Sequence, residues 1–214
     1  MKIIGVIASV LITSFSIGQK SYYFSDPVPS EEQIVQNVDA KYFGLYTTTT
    51  GRAYEFSEAG IHAISTSVSS MSRETIRESS KYSVRNGFIH GVVLNDSIPC
   101  VLEGENYFFG VKNRDLLVGA GSSNVLTKSG SSYYINVKDE GVFFPMKLDF
   151  AKRSLQIKYF DYDFETTVFD GITEKKSIPS EYNEMIILQP TKAEFSAISS
   201  EEIFPSGVEL KKSK

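Results

Sequence analysis

The chain has 214 residues with 22 Lys+Arg against 26 Asp+Glu, a net charge of −4, and no basic stripe of the kind that neutralises phosphates, which argues against nucleic acid as a partner. One cysteine excludes an internal disulfide, so stability must come from packing. Tyr and Phe number 12 and 15, Trp is absent and Ser and Thr are frequent, a mixture that suits pleated, half-buried surfaces.

Residues 1–18 read as a signal peptide: Lys2 opens a minimal positive region, an uncharged apolar run follows, and Ser16 and Gly18 stand before a cut at Gln19. An uncleaved anchor is the alternative, since that run approaches the roughly 17 residues a spanning helix needs. Gly5 and the serines favour cleavage. No cysteine follows for a lipid anchor and no second apolar run is long enough to span. The expected location is therefore outside the cytoplasm (periplasm, cell surface or extracellular), with the mature chain not embedded in a membrane.

Residues 19–30 form an extended lead-in fixed by Pro27 and Pro29, and residues 31–214 form a single β-rich domain. Ser30 and the acidic residues after it predict a short helix. From Tyr42 the pattern turns to strands, with Glu58-Ala59-Gly60 as a hairpin connection. The segment around Arg73, Arg77 and Lys81 fits an exposed helical turn capped by Ser72, with a charged hairpin arm as the alternative. Strand signals then recur at short intervals over 87–95, 97–103, 106–112, 115–121, 133–139, 141–150 and 155–164. The segment 175–183 reads as a polar loop, 184–190 as a strand stopped by Pro190, and Thr191 with Glu194 as a capping box. The expected fold is mainly β, all-β in class: an antiparallel meander curling into a barrel or roll, with short helices near both termini. No repeat of blade length marks a propeller.

Chemistry-bearing residues are few. In a strand, Asp161, Asp163 and Glu165 would share one face and could hold a cation or serve a carboxylate-based hydrolase. Alternation alone explains the same residues, with carboxylates in water and Phe160, Tyr162 and Phe164 inward. His62 and His90 read as packed histidines with satisfied ring nitrogens, and a Cys100–His90 dyad is the sharper alternative. The Gly- and Ser-rich 119–124 reads as a mobile loop at a barrel mouth or sheet edge, where binding residues often sit. With a two- or four-residue turn at Gly104-Glu105, Cys100 falls opposite Phe109 and Leu102 opposite Tyr107 on one apolar face, making the thiol a core residue. No catalytic residue and no cofactor is assigned, and ligand-binding residues are unknown at this level.

The blocks "SRETIRESSKYSVRNGFIHGV" and "SIPCVLEGENYFFGVKN" resemble those of small exported proteins of Bacteroidota. That resemblance implies a location outside the cytoplasm and brings no activity. "YFGLYTTTTGRAYEFSEAGI" after a short helix is similar to the start of a lipocalin-like barrel, with Gly44-Leu45-Tyr46 where that family has G-x-W. It implies a closed barrel able to hold an apolar ligand. The leading functional expectation is a non-catalytic binding or structural module that takes a small apolar ligand or a protein partner. A hydrolase is the second, and a protein pairing through a sheet edge at the Thr-rich Leu45–Thr50 is the third.

Overall fold

The computed structural model describes residues 19–29, 33–94, 96–161, 167–179, 183–198 and 203–213. The predicted export signal lies outside them. β1 (Gln19–Phe24) precedes a 3-10 turn at Ala40–Tyr42, then β2 (Gly44–Thr47), β3 (Ala53–Ser57) and β4 (Gly60–Ser72). Helix α1 (Arg73–Glu78) leads to β5 (Ser83–Arg85), β6 (Phe88–His90), β7 (Ser97–Glu103) and β8 (Asn106–Val118). Next come β9 (Val125–Ser129), β10 (Ser132–Asp139), β11 (Val142–Phe150) and β12 (Ser154–Tyr159). β13 (Lys175–Pro179), β14 (Asn183–Leu188), α2 (Lys192–Ile198) and β15 (Ser206–Lys212) follow.

The fold is mainly β, one large mixed sheet with hydrogen-bonded order β13-β14-β1-β11-β12-β15-β2-β3-β4-β8-β7-β6-β5, and with β10 and then β9 continuing from β11. The sheet is not closed. It departs from a pure antiparallel meander at β1, which runs parallel to β14 with Tyr22 opposite Ile186. The lead-in is thus a strand inside the sheet. Its alternation explains this, because Tyr22 and Phe24 are both buried.

Two aromatic-rich cores flank β10. Tyr133 and Ile135 face one, with Tyr46, Phe56, Ile61, Leu148, Ile157 and Leu210. Tyr134 faces the other, with Phe24, Phe160, Phe169, Leu188, Phe195 and Phe204. The first draws on strands from β2 to β15, so the sheet must curve around it. Its interior is filled by a ring cluster in which Phe150 stacks on Tyr42 at 4.3 Å and meets Tyr46, Phe56 and Tyr133 edge-on.

Several local expectations change. Residues 34–38 form no helix: Ile34 bridges Thr127, and the Val35 N–H donates to Leu126 O at 2.9 Å. The 106–121 region is one long strand followed by a turn, and 175–179 is an exposed edge strand rather than a loop. β9 is a strand the periodicity passed over. Thr47 is not an edge, since β2 lies between β3 and β15 and Thr48–Arg52 is a turn. The α1 turn forms as expected, with Ser72 Oγ accepting from Thr75 N–H at 3.0 Å.

β4 and β8 each run 13 residues and pair with one another from Ile61–Val118 to Ser72–Asn106. Their body-side ends line the first core through Ile61 and Val118. Beyond Ser65 and Asn113 they continue as an arm, flanked by β7, β6, β5 and α1. Over residues 65–113 the large apolar side chains that are fully covered are Ile89 and Phe109.

Candidate functional site

The side chains of the arm sort by register onto two faces. Phe109, Cys100, Ile98, Ile89 and Val84 share the inner one, since Cys100 opposes Phe109, Ile98 opposes Ile89 and Ile89 opposes Val84. Phe108, Val101, Ser70, Val68, Gly110 and Lys112 share the outer one, with Val101 opposite Phe108 and Val68 opposite Gly110. Pro99 and Phe88 extend it. Nothing among the described residues covers this outer face: Val68 is 77% and Val101 70% exposed, and Phe108 and Phe88 are also exposed. Sheets that stay in water normally alternate polar side chains outward; here apolar side chains face outward in adjacent rows. In the β6–β7 connection, at the end of these strands away from the tip, Leu94 is 88% exposed.

Toward the body the same face continues through Ile64 and Arg114 to His62 and Leu116. Arg114 donates from Nε and Nη2 to Glu55 Oε2 at 2.9 and 2.8 Å, a charge-assisted pair. His62 is buried, yet its Nδ1 has no hydrogen-bond partner among the described residues; the expectation of a satisfied ring does not hold for that atom. His90 pairs with Ser97 on the outer face while Cys100 lies on the inner one. The two therefore cannot form a dyad. The Cys100 register is as expected, but the face is partly open, because Leu102 is exposed and Cys100 only half-buried. Burial pushes the Cys100 thiol up from its ordinary pKa.

A groove sits where the N-terminal segment, through Ile34 and Val35, bonds to β9. Ile34, Val35, Ala59, Val118, Ala120 and Leu126 line this groove of about 550 Å³, with Glu58 and Asn124 at its rim. The 119–124 loop does line this groove, and it is pinned there: Ser122 Oγ and Asn124 Nδ2 donate to Leu117 O at 2.7 and 2.9 Å. At its base Gly60 has φ +122°, and a Cβ there would lie 2.1 Å from Val118 O, so only glycine permits this approach of backbone to backbone.

Of the predicted carboxylates, Asp161 lies just past β12, its N–H donating to Ile203 O at 3.3 Å. Asp163 and Glu165 lie outside the described residues. Among the described residues no three His, Cys, Asp or Glu side chains come together to hold a metal ion, and no helix is long and apolar enough to cross a membrane. The outer face of the arm went unread in the sequence because it needs the register of three strands; its signal was that Val68 sits in a serine run and Val101 beside Cys100. No protein-family model, curated protein or solved structure matches the chain.

Proposed function

We propose that this chain is an exported, non-catalytic β-domain that works by binding, and that its contact surface is the outer face of the arm. The observation that carries this reading is the uncovered apolar row of Val68, Phe108 and Val101 on adjacent strands, since contiguous exposed apolar patches mark interaction sites. Export rests on the sequence of residues 1–18. The curved sheet acts as a roll whose interior is filled by Tyr42, Tyr46, Phe56, Tyr133 and Phe150; that filling favours an external surface over an enclosed ligand.

A photo-crosslinking residue placed at position 101 in the intact protein, in the cells that make it, should give an adduct of discrete mass. The same residue at position 177, on the exposed edge strand β13, should give none. Absence of any adduct at 101 would remove the reading. A small apolar ligand is the second reading, favoured by the apolar groove beside Ile34 and Val118; protection of Ile34 from exchange by a fatty-acyl probe would support it.

A further inference from the structure

The geometry points to a second copy of this chain as the occupant of the arm's outer face, packed against the same face in antiparallel register. This inference rests on the binding reading above and adds the identity of the partner. A two-fold dimer needs a patch complementary to itself, with each residue meeting another of the same patch. The outer face meets that demand in relief and in charge.

The relief comes from β8. Its outward positions place the Phe108 ring beside Gly110, which has no side chain and where an added Cβ would lie 2.9 Å from Thr66 Cγ2. Consider a rotation of 180° about an axis crossing the strands midway between these two residues. It sets Phe108 of each copy over Gly110 of the other, against the Thr66 methyl that leans over that glycine, and Ser70 of each against Val68 of the other, because Ser70 opposes Phe108 and Val68 opposes Gly110. On β8 and β4 a larger side chain thus meets a smaller one, while on β7 Val101 of each copy meets Pro99 of the other.

The charges obey the same operation. Lys112 lies two residues from Gly110 toward the body, opposite Thr66, and Glu103 lies two residues from Val101 toward the tip, opposite Asn106. They are about 20 Å apart along the strand direction, and neither has an ion-pair partner among the described residues. The rotation exchanges the two ends, so Glu103 of each copy comes to the level of Lys112 of the other. An apolar centre with opposite charges at its ends is the pattern that fixes register in an interface. In extent, the face shared by both copies runs about 20 Å along the strands, from the level of Lys112 to that of Glu103, and about 14 Å across β4, β8, β7 and β6, less than the roughly 800 Å² per partner of a standard interface, so the dimer is a weak, reversible one. Twisted sheets stacked this way cross at about −30°, which keeps contact closest at the centre, where Phe108 and Val101 lie.

Sedimentation equilibrium of the mature protein tests this over a range of concentrations. A reversible monomer–dimer equilibrium is expected. Glu103→Lys alone and Lys112→Glu alone should each raise the dimer Kd by about tenfold or more, and the double reversal should restore it to within about threefold. Val101→Lys should abolish the dimer with the circular dichroism spectrum unchanged. A monomer at every concentration, a dimer indifferent to these changes, or a double reversal no better than the sum of the single ones would overturn the inference. The crosslink at position 101 separates this failure from failure of the binding reading: an adduct of twice the monomer mass fits both, and an adduct of any other mass keeps the binding reading and overturns self-docking.

Discussion

Asn136 sits on β10 fully buried and ties three segments together through one amide. Its Oδ1 accepts from the Val28 N–H at 2.9 Å, and its Nδ2 donates to Val28 O at 3.0 Å and to Thr127 Oγ1 at 3.1 Å. Replacing it with leucine keeps the branching and heavy-atom count but strands the Val28 N–H in a dry interior. Asn136→Leu should therefore cost about 2 kcal/mol, read as a lower urea midpoint with an unchanged slope; no shift in midpoint would refute the role. Cys100 offers a second residue-level test. Its half-buried thiol, with a raised pKa, carries little thiolate at neutral pH, so a bulky maleimide should react far more slowly with native protein than with protein in urea. The two residues also differ in legibility. Cys100 could be placed because one hairpin turn sets its register, whereas Asn136 in "YYINVKD" reads as an outward polar residue. Burial on both faces of β10 is decided by two cores that local alternation cannot report.

Helix α2 is short, and its first turn carries much of its definition. Glu194 accepts from Thr173 Oγ1 at 2.7 Å, from the Thr191 N–H at 2.7 Å and from the Thr173 N–H at 2.9 Å, while Thr191 Oγ1 accepts from the Glu194 N–H at 3.2 Å. This is the capping box expected from the sequence, extended by a third strut from Thr173. Thr191→Ala should lower stability by about 1 kcal/mol, measured by thermal melting. The hydrogen bonds, that from the Thr173 hydroxyl first, hold the Glu194 carboxyl down at about 2, against 4.5 for the free group. Folding thus favours the carboxylate, so its stabilisation is complete above pH 4.5 and is lost as pH falls toward 2. The melting-temperature gap between wild type and Glu194→Gln should be constant at higher pH and shrink across that window; a gap independent of pH would show that the charge plays no part. Short motifs such as this cap and the Ser72 cap were legible because all their partners lie within a few residues. Edge strand β13 was not, since Lys175–Pro179 is exposed at every position and carries no alternation to read.

On the scale of the molecule, a well-filled body carries an arm with little core of its own. Local opening free energies follow such differences in buried contact. In dilute solution, amide exchange should be fast in peptides covering 66–72 and 106–112 and slow, limited by global unfolding, in those covering 126–135 and 143–157. Equal protection in both regions would contradict the contrast in packing. Strand content and most hairpins could be foreseen, but the order of the sheet could not, because its decisive pairings join distant segments. β1 beside β14 is the clearest case. Ser25 and Leu188 hydrogen-bond across 163 positions, and the core around Phe24 is completed by Phe195 and Phe204. The other core likewise waits for Leu210 to join Tyr46. Neither core is therefore complete until residues in the region 195–210 have joined partners far back in the sequence. Folding that must bring such distant segments together is slow by topology.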